Sequence, residues 1–384
     1  MTQKLFYEDP HQTDFTASVL SCTPSEDGNY IITLDRTAFF PEEGGQNADS
    51  GTINDLTVLD VQIQDDVIYH TVAESFAPGD TVNGHVDWNK RFDYMQQHSG
   101  EHLISGLVNR YYGYHNVGFH LGDEEVTLDF DVVLTLEELR KIEAEANHAI
   151  ALYLPVKISF PSKEELDILE YRSKIEIEGD VRIVKFPGYD VCACCAPHVD
   201  TTGQIGLVKI TNVQKHRGGV RVNILCGNRA IADYTQKQDS VSSISVQLSA
   251  KPEAVADAVV RLKEENFKQK NRMIALQQQL LQLQLSVIPS EQKNVALFFE
   301  DLDTPAMHDA VNTLCETHQG YCAVFKGSDE DGYQYILGSL HQNCKEASTE
   351  LIQKFSARGG GSERMVQGSL MAAKEEIEDW FEEL

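Results

Sequence analysis

The chain has 384 residues, 41% hydrophobic and 24% charged, an ordinary balance for a globular protein and too long for a single core, so about two to four domains are expected. A net charge of −28 opposes nonspecific nucleic-acid binding, because phosphate contacts need Lys and Arg; any such site must be a local basic patch on an acidic body. No apolar run is long enough for a bilayer, and Met1–Tyr7 lacks the basic-then-apolar pattern of a signal peptide, which makes no membrane and a cytoplasmic location the expectation.

Residues 1–87 read as a β-rich domain. Tyr30–Leu34 and Val58–Val67 are short, partly alternating apolar runs between Gly- and Asp-rich turns. Between them, Thr37-Ala-Phe-Phe-Pro-Glu-Glu-Gly-Gly-Gln46 carries Pro41, Gly44 and Gly45, a loop whose backbone can approach another group closely. A helix is predicted from Asp87 to Tyr112, with Phe92, Met95, Leu103 and Leu107 near helical spacing. Thr135-Leu-Glu-Glu138 is a capping box opening a second helix, with Leu136, Leu139, Ile142 and Ile150 as its apolar stripe, and Ser162-Lys-Glu-Glu165 opens a shorter one. Val181–Phe186 reads as a strand, and Ile205–Val213 with Gly219–Cys226 as a strand pair joined by a basic connection. These residues, 88–240, form the second domain.

A boundary falls near residue 250. From 251 to 288, Val255, Val259, Leu262, Asn266, Gln269, Met273, Leu276, Leu280, Leu283 and Val287 alternate four and three apart, a heptad seam that predicts a long helix burying one stripe against a partner. Residues 291–384 read as a smaller α/β domain. Its predicted strands are Val295–Phe299, Tyr321–Lys326 and Tyr333–Leu337, and its helices Ala306–His318 and Cys344–Phe355. A loop at 357–368 leads to an acidic last helix. The fold class is therefore α+β: a barrel-like β domain, an α/β domain, a heptad helix and a C-terminal α/β domain.

Two motifs carry chemistry. His98-Ser-Gly-Glu-His102 lies on the predicted helix, so both imidazoles emerge from one face. Cys194-Cys-Ala-Pro-His198 adds a thiolate and a third imidazole, completing a tetrahedral donor set suited to Zn2+ rather than to a hard cation. Cys192 and Cys195 form a competing Cys-x-x-Cys pair, and a structural zinc knuckle on Cys192, Cys195 and His198 is the bland alternative. Glu101 is a candidate base or supporting carboxylate if the ion is catalytic, or else a solvated helix carboxylate. Lys215, His216, Arg217 and Arg221 form the clearest basic cluster, either a phosphate contact or an ordinary charged hairpin.

These residues resemble the editing domain of alanyl-tRNA synthetases and the free-standing alanyl-tRNA editing proteins of the AlaX type, long form. The family pairs His-x-x-x-His with Cys-x-x-x-His around one zinc, which the resemblance lays on His98, His102, Cys194 and His198 and so selects Cys194. Pro41–Gln46 resembles the family's glycine loop. The resemblance implies that Gly44, Gly45 and Gln46 shape the aminoacyl pocket, with Thr37 supplying a hydroxyl. Gln204–Ile210 and Arg217–Arg221 resemble stretches that follow the family's cysteine motif, which makes Lys215, Arg217 and Arg221 candidate tRNA contacts. The heptad helix resembles the dimerising linker, and residues 291–384 the C-terminal domain, of the synthetases.

The implied activity is deacylation of mischarged tRNA-Ala, carrying serine or else glycine, by a homodimeric zinc hydrolase that uses no ATP. Two departures stand out. The family's Cys-Gly-Gly-Thr-His is here Cys194-Cys-Ala-Pro-His198, and the segment from Glu291 carries 7 Lys and Arg against 18 Asp and Glu, which favours a dimerising over a tRNA-gripping role. A zinc hydrolase of another ester, or a zinc-stabilised tRNA-binding scaffold without catalysis, are the competing readings.

Overall fold

The computed structural model describes residues 1–173 and 181–384. The chain is α+β and divides into two compact units, Met1–Ser243 and Ile244–Leu384. Among the described residues no helix is long and apolar enough to cross a membrane.

The first unit begins with six antiparallel strands, Asp14–Pro24, Tyr30–Leu34, Val67–Val72, Leu56–Gln64, Gly51–Ile53 and Thr81–Val86, each paired with the next, and the last returning to the first. Alternation along Asp14–Leu20 and Thr81–Val86 sends Phe15, Ala17, Val19, Val82 and Val86 inward, as a two-residue period requires. The run read as one strand at Val58–Val67 is two, broken by a turn in which Asp65 and Asp66 take positive φ.

Helix Trp88–Tyr112 follows directly. Asp87 caps it by accepting from Asn89 N and Lys90 N, and Gly113 ends it in the left-handed region. Every residue from Tyr94 to Val108 is buried, because the helix packs against helix Leu136–Ala151, strand Asp190–Ala193 and the sheet formed by Val208–His216, Gly219–Cys226, Val126–Phe130 and Asn116–Leu121. A helix enclosed on all sides can carry polar residues only where they find partners, and this one carries the histidine pair. Both capping boxes form as expected, at Thr135 and Ser162. Leu136 departs from its predicted stripe: it is exposed, while Leu139, Ile142 and Ile150 face the core. The strand predicted from Ile205 starts at Val208, after a 3-10 turn at Thr202–Ile205. Helix Gly227–Gln247 was not anticipated; its polar run, with few buried residues, offers no strong apolar period.

In the second unit a 3-10 turn at Pro252–Ala254 leads into helix Val255–Ser286. Its buried residues, Ala258 and Leu281, lie off the heptad seam, and Val259, Leu262, Met273, Leu276, Leu280, Leu283 and Val287 are exposed within the single chain. The sheet runs Val295–Phe299, Cys322–Ser328, Gly332–Gly338, Met365–Leu370, Arg358–Gly361, with the first pair parallel. The region expected to be a loop at 357–368 thus contributes two strands. Glycines 359, 360 and 361 make an exposed edge whose close backbone pairing admits no side chain at two of them: a Cβ on Gly359 would lie 2.4 Å from Gln367 O and one on Gly361 2.3 Å from Met365 O. Ala323, Phe325, Tyr335 and Leu337 pack one face against helices Cys344–Phe355 and Lys374–Glu383, and Cys322, Val324 and Ile336 pack the other against helix Thr304–Thr317.

Candidate metal centre and cavity

The side chains of His98, His102, Cys194 and His198 converge, each offering a ligand atom within 4.8 Å of the others. The Cys194 Sγ lies 3.5 Å from His98 Nε2 and 3.3 Å from His198 Nε2. The opposite ring nitrogen of each histidine is engaged. His98 Nδ1 is 2.8 Å from Gln46 Oε1, His102 Nδ1 is 2.7 Å from Asp190 Oδ2, and His198 Nδ1 is 3.0 Å from Ser99 Oγ. Donation from Nδ1–H to these oxygens would leave the Nε2 of each neutral imidazole as a lone-pair donor toward the centre, the tautomer a metal needs. The donor set, three imidazoles and one thiolate, fits a tetrahedral ion. Cys195 and Cys192 stand outside this group: the Cys195 Sγ lies over Gly44, 3.1 Å from where a Cβ there would be, and Cys192 clusters instead with His102 and Asp190.

Electrostatics agree with the geometry. Burial opposes ionisation of Cys194, but His98, His198 and His102 outweigh it and hold the thiol well below its ordinary range. Burial holds His198 down to about 3, so its imidazole is neutral. Burial also opposes protonation of His102, yet Asp190, Cys194 and Glu101 together raise it to about 9. Asp190 is in turn anchored by Arg172, whose Nε and Nη2 both donate at 2.8 Å.

A cavity of about 590 Å³ opens beside the cluster, lined among others by Gly44, Gly45, His98, Glu101, His102, Phe119, Arg182, Cys194 and Cys195. Gly44 and Gly45 take φ of +65° and +85°, and a Cβ on Gly45 would come within 2.4 Å of Phe119 O. Their loop is clamped to strand Asn116–Leu121 by Leu121 N to Gly45 O (2.7 Å) and Asn47 N to Leu121 O (3.0 Å). It is also tied to the helix start by the buried Arg91–Asp49 pair, with Arg91 Nη1 donating to Pro10 O and Nη2 to Ala38 O. The barrel loop and the histidine helix are therefore held in register.

The sequence-derived candidates fare differently. Glu101 is no solvated carboxylate: it is 1% exposed, accepts from Ser105 Oγ at 2.7 Å and Asn116 Nδ2 at 2.6 Å, and lies 3.9 Å from His102 Nε2. Gln46 acts one layer behind the cavity, on His98. Thr37 is absent from the described cavity lining; its hydroxyl is buried against His70 Nε2 at 2.9 Å, because the chain turns inward before reaching the loop. Arg221 is committed to Asp129 through two 2.7 Å bonds, and Lys215 and Arg217 are exposed near the tip of the hairpin, outside the cavity. Sequence reasoning missed Asp190, Arg172 and Arg182. A charged residue inside an apolar strand run, as in Val181-Arg-Ile-Val184, was the available signal.

Residues 181–222 match the family profile of the threonyl and alanyl tRNA synthetase second additional domain, and residues 9–90 that of class II (A) tRNA synthetases. The chain is 27% identical to the alanyl-tRNA editing protein Aarsd1 of Rattus norvegicus over 95% of its own length and 93% of that protein. The chain is a relative of the alanyl-tRNA editing proteins. It is also 29% and 30% identical to the alanine–tRNA ligases of Ignicoccus hospitalis and Methanopyrus kandleri, over 94% and 96% of its length. It spans only 40% and 42% of those ligases. The first profile contains Cys194, His198 and Arg182, whereas His98 and His102 fall between the two matched segments, so the histidine pair is joined to the cysteine motif by the three-dimensional geometry.

Proposed function

We propose that this chain is a trans-editing aminoacyl-tRNA deacylase, a carboxylic ester hydrolase that removes serine, or glycine, from mischarged tRNA-Ala. The observation that carries this reading is the cluster itself: three imidazoles with locked Nδ1 atoms and one thiolate at the edge of an open cavity, in a chain related end to end to an alanyl-tRNA editing protein.

His98, His102, Cys194 and His198 would hold a Zn2+ ion, which when bound polarises an ester carbonyl or a water. Gln46, Asp190 and Ser99 orient the three imidazoles. Gly44 and Gly45 present bare backbone where the aminoacyl group must fit, and Cys195 narrows the same wall. Glu101, buried and facing the cavity, is positioned to accept a proton from the attacking water. Discrimination between serine and alanine turns on one hydroxyl, and a pocket built to hydrogen-bond it rejects alanine because buried polar groups would be left unpaired. Lys215 and Arg217 are exposed cations suited to the tRNA backbone, whereas Arg221 serves to brace the hairpin. The exposed stripe of helix Val255–Ser286 supports a homodimer.

The test is hydrolysis of Ser-tRNA-Ala beside Ala-tRNA-Ala, by the wild-type chain and by Cys194→Ala. Loss of serine alone, abolished in the variant, is expected. A folded, zinc-loaded chain that hydrolyses neither would overturn the assignment, and unfolding on chelation would make the metal a scaffold.

A further inference from the structure

Among the described residues two arginines are buried, and they are served differently. Arg91 meets the carboxylate of Asp49. Arg182, 6% exposed, has no carboxylate partner among the described residues. Its hydrogen bonds run through Nη1 alone, to the carbonyls of Cys194 (2.7 Å) and Ala196 (2.9 Å), while Nε is buried without an acceptor. Its face lies over Tyr7, with Cζ 5.2 Å from the ring centroid. A guanidinium removed from water with no carboxylate beside it and a buried Nε without an acceptor is costly, and such groups are normally paired; the negative group near it, Cys194, is a residue that a bound metal would claim. Arg182 nevertheless lines the cavity. The bonds to Cys194 and Ala196 fix it beside the cysteine turn, so an anionic ligand in the cavity would supply the partner that no carboxylate of the described residues provides.

We infer that Arg182 is an oxyanion-binding group for the hydrolysis, taking the carbonyl oxygen of the bound ester as that oxygen becomes negatively charged. This rests on the deacylase reading above. Water oxygen bonds to the ester carbon, the bond from that carbon to the ribose oxygen breaks, and the proton lost by water ends on the ribose oxygen. Between those events the carbonyl oxygen carries the charge, and a donor fixed in advance favours that state over the neutral ester. A phosphate of the substrate is the less favoured ligand: among the described residues the cavity's other cation, Lys4, is already balanced by Asp66 at 3.1 Å, and Arg182 is bonded to the carbonyl of Cys194, one of the residues that would hold the metal.

The experiment compares binding of two phosphate-free adenosine compounds to the zinc-loaded full chain. One carries an anionic tetrahedral phosphonate in place of the seryl ester; the other carries a neutral seryl amide. Arg182→Gln is expected to weaken phosphonate binding about 100-fold, with amide binding changed less than about 3-fold and metal content unaltered. Arg182→Lys, which keeps the buried charge, covers the case in which the glutamine variant does not fold, and is expected to retain part of the phosphonate preference. Equal weakening of both compounds, or loss of metal, would make Arg182 a brace for the cysteine turn and overturn the inference. A wild-type chain that binds neither compound would instead bring down the deacylase reading itself.

Discussion

His102 shows how much one contact decides. Its ring is stacked 5.5 Å from His98 and its Nδ1 is bound by Asp190, which Arg172 holds in turn. Replacing Asp190 with Asn keeps the shape but removes the charge, and is expected to weaken metal binding roughly 10- to 100-fold, read by competition with a chromophoric chelator; unchanged affinity would remove Asp190 from the centre. The protonation pattern makes a second prediction. In the metal-free chain the Cys194 thiol is held well below its ordinary range by the histidines and His198 is held down to about 3 by burial, whereas His102 is raised to about 9. Metal uptake near pH 7.5 must therefore expel the His102 proton, and affinity should climb as pH approaches 9. Calorimetry in buffers of different ionisation enthalpy measures this release. The metal-free fold behaves oppositely: a raised histidine contributes fully below its ordinary value of 6.5 and the contribution fades as pH rises through about 9, while the lowered Asp190 contributes above its ordinary value of 3.8 and fades as pH falls below it. Gly45 is constrained by backbone rather than charge. Gly45→Ala forces a left-handed φ and a clash with Phe119 O, with an expected cost of at least about 2 kcal/mol in denaturant unfolding.

Among the elements, helix Val255–Ser286 and helix Trp88–Tyr112 are opposites. The latter is enclosed and spends its length on a site. The former leaves a leucine stripe in solvent, with Leu276 54% and Leu283 65% exposed. Apolar seams of this length are normally covered by another helix. Changing Leu276 and Leu283 together to Gln is expected to leave the unfolding free energy of the isolated chain within about 0.5 kcal/mol per site, yet to abolish self-association in sedimentation. A dimer that survives the double change would assign the seam another role.

For the whole molecule, two units with separate cores, one holding the cluster and one with none of its residues, imply two unfolding events of different metal sensitivity. Scanning calorimetry with and without a chelator is expected to show two transitions, of which only one shifts. A single transition that moves as a whole would mean that the units unfold together. The charge distribution acts at this scale too: with only the exposed Lys215 and Arg217 proposed to meet phosphates, and with salt also screening the repulsion from a net charge of −28, any tRNA affinity should fall only weakly with salt.

Much of this was legible in the linear chain because it depends on local chemistry. Capping at Asp87, Thr135 and Ser162, the strands Tyr30–Leu34 and Val295–Phe299, and the helix Cys344–Phe355 follow from side chains acting within a few residues of themselves. The three histidines were legible as well, since soft ligands at four-residue spacing carry a chemical meaning wherever they fold, whereas spacing left Cys194 and Cys195 as alternatives that only the family resemblance separated. Tertiary structure alone decided the rest. Glu101 became a buried carboxylate because Ser105 and Asn116 meet it, Thr37 turned into the barrel, and Arg221 was claimed by Asp129 across a strand pair. Asp190 and Arg182 acquired their roles from contacts made on folding, and the glycines at 359–361 became a strand only because a neighbouring strand pairs with them. Spacing determines what a residue can donate; burial and partnership, set by chain segments far away in sequence, determine to what it donates.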